Sequence, residues 1–365
     1  MIRTPAATSV LHLDGVMLPS GERSGVWIVD GAITFTPVPG ATTIASDVWI
    51  LPGLVDAHCH IGLGADGAVT AEVAERQAIT DRNAGTLLIR DAGSPIDTHW
   101  LNAQADKPRL IRAGRHIARP KRYIRNFAAE VEPEQLVAEV ARQAVRGDGW
   151  VKLVGDWIDR EVGDLAPLWP YETAKAAIDE AHRLGARVTA HCFEEESVQQ
   201  LVRAGIDGIE HGTGLDADTI ELMAARQVAL VPTLINLENF PSFATAGQAK
   251  FPRYADHMMA LHGRRRETIG AAIEAGVPVY AGTDAGGTLP HGLISSEIGL
   301  LAELGGAEFA LGAASWRARQ WLGAEAAGEG ESADLVVYRA DPRVEPGVTA
   351  HPAMVILRGV VVASA

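Results

Sequence analysis

The feature that most constrains the fold is an alternation of short apolar runs with amphipathic segments between residues 51 and 324. The apolar runs have the length of buried strands, and the segments between them have the periodicity of helices. Strands are predicted over Gly53–His58, Thr86–Arg90, Arg109–Ala113, Trp150–Val154, Arg187–His191, Gly208–His211, Val228–Thr233 and Val277–Gly282. Helices are predicted over 70–83, 133–147, 170–184, 194–204, 216–226 and 254–275. Eight strands separated by helices indicate an α/β protein with a parallel (β/α)8 barrel, as in TIM-like folds.

Both ends of the chain have a different pattern, typical of short strands joined by tight turns. Asp-Gly pairs at 14–15 and 30–31 predict hairpins, and Arg358-Gly359 predicts a further turn. The predicted strands are Ser9–Leu13, Gly25–Val29, Ala32–Thr36, Ala333–Tyr338, Met354–Leu357 and Val360–Val362. We therefore expect residues 1–50 and 325–365 to form one small β-sandwich domain, with a catalytic barrel domain of residues 51–324 inserted between them.

The charge balance excludes several classes of partner. The formal net charge is −14, from 32 Lys and Arg against 46 Asp and Glu, which disfavours binding to nucleic acid or to an anionic membrane surface. The chain has no apolar run near the roughly 18 residues of a membrane span, and its first residues lack a signal-peptide pattern. Two cysteines form no disulfide framework, so we expect a cytoplasmic protein. The expected partner is a small-molecule substrate. Formation of a homo-oligomer is left open.

Side chains suited to metal binding stand where the predicted strands end. His58 and His60 are two residues apart on the first strand, so they share a face, while Cys59 points the other way. Two imidazoles on one strand end make half of a metal site. Cys59 and Cys192 each directly follow a candidate ligand histidine. We expect both to be small packing residues.

Three further strands end in the same kinds of side chain. His191 ends the fifth strand, His211 ends the sixth, and Asp284 follows the eighth. In a parallel barrel all these ends lie on one rim, where the active site is found. Imidazole and carboxylate ligands together favour a borderline divalent metal such as Zn²⁺.

A lysine lies inside the fourth predicted strand. Lys152 is flanked by apolar residues, and an unpaired ammonium costs several kcal/mol to bury. The lysine can extend to the rim or pair with a carboxylate. It can also react with CO₂ to give a carbamate, whose negative charge and two oxygens are able to join two metal ions.

The order of these residues resembles the binuclear pattern of the amidohydrolase superfamily. The likeness covers nearly the whole chain, including LPGLVDAHCHIG at 51–62, VPTL at 231–234, AGTDAGG at 281–287 and ADLVVYRADP at 333–342. It is most similar to the imidazolonepropionase-like and Xaa-Pro dipeptidase-like branch, which shares the Arg90-Asp91 pair, the GIDGIEHG run at 205–212 and an HG pair at 291–292.

The resemblance implies a role for each ligand. His58, His60 and Asp284 would hold the more buried metal, His191 and His211 the second, and carboxylated Lys152 would bridge the two, with Zn²⁺ as the expected ion. The implied reaction is hydrolysis of an amide-type C–N bond in a dipeptide, an N-acyl amino acid or a cyclic amide. A hydroxide bridging the metals would attack, Asp284 would act as general base and acid, and His211 or His291 would support the oxyanion.

The segment after the third predicted strand is a candidate substrate loop. It carries His116 and Tyr123 together with the cations Lys121, Arg122 and Arg125, which could bind a substrate carboxylate or simply be solvated. We take His116, Arg122, Tyr123 and His291 as the candidate substrate-binding residues. Where many relatives have Gly-Gly-His-Gly, this chain has Gly-Arg-His-Ile at 114–117, so the family's substrate contacts do not transfer directly.

Two alternatives remain open at this point. One is a mononuclear, imidazolonepropionase-like or deaminase-like aminohydrolase, in which Glu194 of the His191-Cys-Phe-Glu194 sequence shuttles the proton. Glu194 also begins an acidic run at a predicted helix N-terminus, where carboxylates favour the helix dipole. The other alternative is a non-catalytic binding protein that a metal stabilises.

Overall fold

The computed structural model describes residues 10–364, and helices and strands alternate through most of that range. The strands are β1 Leu11–Met17, β2 Glu22–Val29, β3 Ala32–Thr34, β4 Thr42–Pro52, β5 Leu54–Cys59, β6 Leu63–Gly64, β7 Gly67–Ala68, β8 Thr86–Asp91, β9 Arg109–Arg112, β10 Ile117–Ala118, β11 Ala129–Glu130, β12 Trp150–Val154, β13 Asp156–Asp159, β14 Asp164–Pro167, β15 Arg187–Cys192, β16 Gly208–His211, β17 Ala229–Val231, β18 Leu335–Tyr338, β19 Met354–Leu357 and β20 Val360–Ser364. The helices are α1 Ala71–Asn83, α2 Leu136–Arg146, α3 Tyr171–Arg183, α4 Glu195–Ala204, α5 Ala217–Arg226, α6 Leu234–Leu237, α7 Phe240–Gln248, α8 Pro252–Glu274, α9 Ile294–Gly305, α10 Ala307–Ala314 and α11 Trp316–Trp321.

Strands from both ends of the chain share one seven-stranded sheet, in the order β20-β19-β18-β4-β1-β2-β3. Its apolar side chains form a core of their own that includes Leu13, Ile50 and Leu335. The two ends of the chain thus contribute strands to one sheet. Residues 1–9, with the predicted strand start at Ser9, and residue 365 lie outside the described residues.

Two of the three predicted turns in this sheet are confirmed, and one is wrong. Asp30-Gly31 and Arg358-Gly359 both have positive φ at each residue, as tight hairpin turns require. Asp14-Gly15 instead lies inside β1. Gly15 is needed there because a Cβ atom would stand 2.2 Å from the backbone oxygen of Val48 on β4.

The middle of the chain is built from parallel strands. β5, β8 and β9 pair in that order, and β10, β12, β15, β16 and β17 follow one another in a second parallel run. Seven predicted strands are found at or close to their predicted positions, and so are the six predicted helices. The mixed α/β class is confirmed.

The predicted strand over 277–282 is wrong as a regular strand. Pro278 has no backbone N–H to donate, so a continuous ladder cannot form there. The segment nevertheless bonds on both sides: Tyr280 N–H donates to Leu230 O at 3.0 Å, and Ala57 N–H donates to Ala281 O at 2.8 Å. It therefore lies between β17 and β5. No helix within the described residues is long and apolar enough to span a bilayer.

A charged triad joins α8 to the neighbouring elements. His257 Nδ1 is 3.0 Å from Asp164 Oδ1, and its Nε2 is 3.0 Å from Glu195 Oε2. The hydrogen bond to Glu195 is the largest contribution that raises the pKa of His257, to about 9. An unfolded histidine has a pKa near 6.5, so the triad stabilises the fold fully below that pH and the effect is lost as pH rises through about 9.

We therefore expect His257→Gln to lower the free energy of unfolding by about 1 kcal/mol near pH 5.5, allowing for solvent screening, and to have little effect near pH 10. Urea denaturation of both proteins at the two pH values measures this difference. His351→Gln, at an exposed histidine, is the matched control and should leave stability unchanged at both. Equal stability of wild type and His257→Gln at low pH would contradict the assignment.

Candidate metal centre

Three side chains meet at the carboxyl end of β5. His58 Nε2 lies 3.1 Å from Asp284 Oδ1, His60 Nε2 lies 3.2 Å from the same oxygen, and the two imidazole nitrogens are 3.3 Å apart. We call His58, His60 and Asp284 the primary cluster. Both histidines are buried.

The primary cluster fits a divalent metal ion. Nitrogen and oxygen donors about 2.0–2.1 Å from a tetrahedral zinc stand about 3.3 Å from one another, which is the spacing found here. The remaining imidazole nitrogen of each histidine bonds to a protein group: His58 Nδ1 to Glu210 Oε2 at 2.7 Å, and His60 Nδ1 to Gly93 O at 2.6 Å. Such bonds fix the tautomer that leaves Nε2 free to bind a metal.

A second pair of histidines adjoins the primary cluster. His191 Nδ1 and His211 Nε2 are 2.9 Å apart, and the His211 ring centroid is 5.4 Å from that of His58. His211 Nδ1 is 2.7 Å from Thr233 Oγ1, which leaves its Nε2 directed at His191. We call His191 and His211 the histidine pair; the structure therefore brings all four predicted histidines together.

Three residues at this site have a strained backbone conformation. The backbone φ angles of His211, Thr233 and Asp284 are 67°, 47° and 57°. These values lie in the left-handed region, which residues other than glycine rarely adopt. Each such residue costs of order 1–3 kcal/mol and persists only where the surroundings hold it. The strain turns these three side chains inward at the ends of β16, β17 and the 277–282 segment.

Glu210 is a site residue that the sequence reasoning missed. It is fully buried, and its carboxylate bonds His58 Nδ1, Arg90 Nη2 at 2.6 Å and the Thr189 hydroxyl. Burial alone would raise the pKa of Glu210, but Arg90 and His58 hold that pKa well below its usual range. The signal in the sequence that could have identified Glu210 was a carboxylate inside a predicted buried strand.

Asn236 and Glu297 were missed as well. Asn236 Nδ2 donates to Asp284 Oδ2 at 2.8 Å, which fixes the carboxylate oxygen that faces away from His58 and His60. Glu297 of α9 accepts the backbone amides of Leu234 and Ile235 at 2.9 and 3.0 Å, and so holds the short helix α6 that carries Asn236. No local pattern marks α6, so this chain of contacts could not be predicted from the sequence.

Lys152 lies on β12, in register with Thr189 of β15. It is 3% exposed, and burial lowers the pKa of its amine, while the charges of Glu210 and Asp284 oppose this shift. Within residues 10–364 its amine has neither a hydrogen bond nor an ion pair. A buried lysine without a partner, beside several metal-type ligands, has the surroundings that a carbamate would need.

Glu194 is used in another way. It is the N-cap of α4: its two oxygens accept the backbone amides of Ser197 and Glu196, each at 2.6 Å. The geometry therefore favours the helix-capping role over the proton shuttle. Both cysteines are free thiols buried among apolar side chains, which agrees with the predicted packing role.

Two of the four candidate substrate-binding residues lie beside the metal-type ligands. The His116 ring is 5.7 Å from that of His60, and the Tyr123 ring is 5.4 Å from His116 and 5.8 Å from His191. Burial lowers the pKa of His116 well below its usual value, so this imidazole is neutral. Tyr123 lines the cavity described below, whereas His116 lies behind it.

The other two candidates face elsewhere, which corrects the sequence-based placement. The Arg122 guanidinium pairs with Asp159 at 2.7 Å and with the carbonyl groups of Trp157 and Ala166, so it supports the hairpin of β13 and β14. His291 Nδ1 is 2.8 Å from Asp81 Oδ2 on α1. Neither side chain reaches the cavity, because each is bonded to the framework behind it.

A cavity of about 450 Å³ opens over the primary cluster. Its floor is polar and its walls are mostly aromatic or aliphatic. The lining residues are His60, Leu63, Tyr123, Ile124, Phe127, Trp157, Ile158, His191, Phe193, Asn236, Phe243, Ala246, Gly247, Lys250, Phe251, Tyr254, Asp284, Gly286, Gly287 and Thr288. The site can thus hold a small organic molecule directly against the metal-type ligands.

Two kinds of known sequence are similar to this chain. An uncharacterized protein of Mycobacterium tuberculosis is 58% identical over 360 residues, which covers 98% of this chain and 97% of that protein. An ochratoxinase of Aspergillus niger is 26% identical over 228 residues, covering 60% of this chain and 46% of the ochratoxinase.

Solved structures share the fold at low sequence identity. A Xaa-Pro dipeptidase with methionine bound in its active site has a TM-score of 0.81 and 22% identity, covering 97% of this chain and 99% of that one. The A. niger ochratoxinase structure has a TM-score of 0.79 and 19% identity, covering 98% and 96%. The amidohydrolase family model matches residues 49–362, which confirms the resemblance seen in the sequence. The chain therefore belongs to the amidohydrolase family, whose members generally use divalent metals, and is a hydrolase of carbon–nitrogen bonds.

Proposed function

We propose that the protein hydrolyses the amide-type C–N bond of a dipeptide, an N-acyl amino acid or a cyclic amide, with two divalent metal ions, most simply Zn²⁺. The observation that carries the proposal is the primary cluster, whose donor spacing suits a metal, at the floor of an open cavity. His58, His60 and Asp284 would hold one ion and the histidine pair the other. Lys152, as a carbamate, would lie between them.

The chain's own residues supply binding and proton transfer. Bound divalent ions activate water and polarise an amide carbonyl group. Burial alone would raise the pKa of Asp284, but His58 and the other histidines hold it well below its usual range, so the carboxylate is ionised and can accept a proton. Asp284 takes the proton from the attacking water and delivers it to the leaving nitrogen, while Asn236 keeps the carboxylate oriented. His211 is the candidate for supporting the oxyanion.

The finer architecture is also proposed. The 277–282 segment bonds to β17 on one side and β5 on the other, which supports a closed (β/α)8 barrel in residues 51–324. In the terminal sheet, Ile33 N–H donates to Glu331 O at 2.8 Å, so the edge strand β3 curls back toward the segment before β18. This supports a β-sandwich domain of residues 1–50 and 325–365.

The free thiols support a reducing, cytoplasmic location.

Metal removal tests the proposed function. We expect dialysis against a chelator to abolish hydrolysis of N-acyl amino acids, and added Zn²⁺ to restore it, while circular dichroism shows that the fold persists. Full activity in the metal-free protein would contradict the proposal. Unfolding on metal loss, with no amide hydrolysed by the loaded protein, would favour the alternative of a binding protein that a metal stabilises.

A further inference from the structure

The outer nitrogen of His191 differs from those of the other candidate ligand histidines. Each of the other three bonds a protein group through the nitrogen that faces away from the site, at 2.6 to 2.7 Å. His191 directs Nδ1 at His211, 2.9 Å away, but its Nε2 is buried and has no hydrogen bond within the described residues. A buried imidazole N–H without an acceptor costs free energy, so a partner is expected near this nitrogen.

The carboxylate of Asp156 faces that nitrogen. Asp156 begins β13, is fully buried, and its Oδ1 lies 3.9 Å from His191 Nε2. This distance is longer than a hydrogen bond, which spans roughly 2.7–3.2 Å between nitrogen and oxygen. Oδ1 is itself buried without a hydrogen-bond partner among residues 10–364. Two unpartnered polar atoms of complementary type therefore lie across a gap that a movement of about 1 Å would close.

The other oxygen of Asp156 holds the carboxylate in this place. Oδ2 accepts the backbone amides of Phe193 and Glu194 at 2.7 and 3.1 Å and the Ser197 hydroxyl at 2.6 Å. These donors belong to the turn that follows His191 and to the start of α4, so the carboxylate is tied to the strand end that carries the imidazole. Because three donors already hold Oδ2, Oδ1 is the oxygen available to a fourth.

Metal binding at the histidine pair decides which nitrogen of His191 carries the ring proton. A neutral imidazole binds a metal through one nitrogen and carries its proton on the other. Nδ1 is the nitrogen beside His211, so it is the one that an ion shared by the pair would use, and the proton then lies on Nε2. A carboxylate is a common acceptor for that proton and orients the metal-binding ring.

We propose that Asp156 is a positioning residue for the metal site: its Oδ1 accepts the Nε2 proton of His191 when an ion occupies the histidine pair. This inference rests on the proposed function, because it requires the second ion. Asp156 is not among the residues that line the cavity, so it acts through His191 and not on the substrate.

Asp156→Asn tests the contact with little change in size. The asparagine keeps one oxygen for the three donors, but it presents an N–H₂ group to His191 Nε2 and cannot accept a proton there. The metal-free full chain is titrated with Zn²⁺ against a chromophoric chelator, with bicarbonate present. One of the two affinities should fall by about 10–100-fold, and the other should remain. Half-maximal activation of N-acyl amino acid hydrolysis should need more free Zn²⁺ by the same factor, with KM nearly unchanged.

A control variant and a measurement on wild type separate positioning from support of the fold. Ser197→Ala removes one donor from Oδ2 and leaves Oδ1 unchanged, so it should lower the thermal midpoint while both Zn²⁺ affinities stay at wild-type values. Nitrogen-15 NMR of the Zn²⁺-loaded wild type, labelled at histidine, does not depend on any Asp156 variant folding. The ring proton of His191, assigned by comparison with His191→Gln, should lie on Nε2.

Each result decides one point. Wild-type Zn²⁺ affinities in a folded Asp156→Asn, or a ring proton on Nδ1 of His191, would overturn the positioning role. Equal losses of affinity in Ser197→Ala and Asp156→Asn would also overturn it, because the carboxylate would then serve only the fold. So would a wild type that binds no second ion, whether or not it hydrolyses amides. If Asp156→Asn weakens one ion but wild type hydrolyses no amide, the proposed function is wrong and the positioning role stands.

Discussion

Replacing Asp284 by asparagine should reduce kcat/KM for an N-acyl amino acid by about 10³-fold or more, the range that a positioned general acid–base contributes. The change removes the negative charge that lies 3.1 Å from His58 and 3.2 Å from His60, and with it the group that accepts the proton. Size and the hydrogen bond from Asn236 are nearly preserved, so the fold should persist. Steady-state kinetics and metal analysis on the same preparation measure both effects.

A matched change elsewhere separates chemistry from stability. Asp216→Asn alters the N-cap of α5, where asparagine caps as well as aspartate does, so turnover and metal content should remain at wild-type levels. The thermal midpoint of Asp284→Asn should lie close to that of wild type when both are metal-free. Wild-type turnover with full metal content in Asp284→Asn would show that the primary cluster is assigned incorrectly.

The parts of the site that could be predicted from the sequence are those set by strand direction alone. His58, His191 and His211 each end a buried strand, and parallel strands bring their carboxyl ends to one edge. Neither side-chain rotamers nor loop geometry is needed for that inference. The types of candidate metal ligand could therefore be predicted from spacing and hydrophobic pattern.

The parts that could not be predicted depend on contacts between distant segments. Asn236 reaches Asp284 only because Glu297, 63 residues beyond Leu234, holds the first amides of α6. Arg122 was expected in the substrate loop, yet Asp159 on β13 draws its guanidinium away from the cavity. Charge in a loop indicates a partner but does not say which partner lies nearest after folding.

The eighth strand shows a related limit. Residues 277–282 have an apolar strand-like pattern, but Pro278 interrupts the ladder and the chain turns inward at Asp284 with φ 57°. That strained residue places the carboxylate against His58 and His60. The local rule failed at the position where the site requires an irregular backbone, as is common at functional sites.

Replacing Lys152 by alanine should decide between one metal ion and two. Reaction of its neutral amine with CO₂ forms an N–C bond and releases one proton, changing a buried, unpartnered amine into a carbamate anion. If this group joins the two ions, wild type grown with Zn²⁺ and bicarbonate should hold about two metals per chain. Lys152→Ala should hold fewer and lose about 10²-fold or more of kcat/KM, since ligands and their partners commonly contribute that much.

Short carboxylic acids provide the sharper test of this prediction. Acetate or propionate can place oxygens in the space that the truncated side chain leaves, so they should restore part of the turnover and metal content of Lys152→Ala. The same acids should not rescue Asp284→Asn, in which the proton acceptor is missing. Glu194→Gln should have only a small effect, because Glu194 caps α4. One metal per chain, an active Lys152→Ala and an inactive Glu194→Gln would together contradict the binuclear site and establish Glu194 as the proton shuttle.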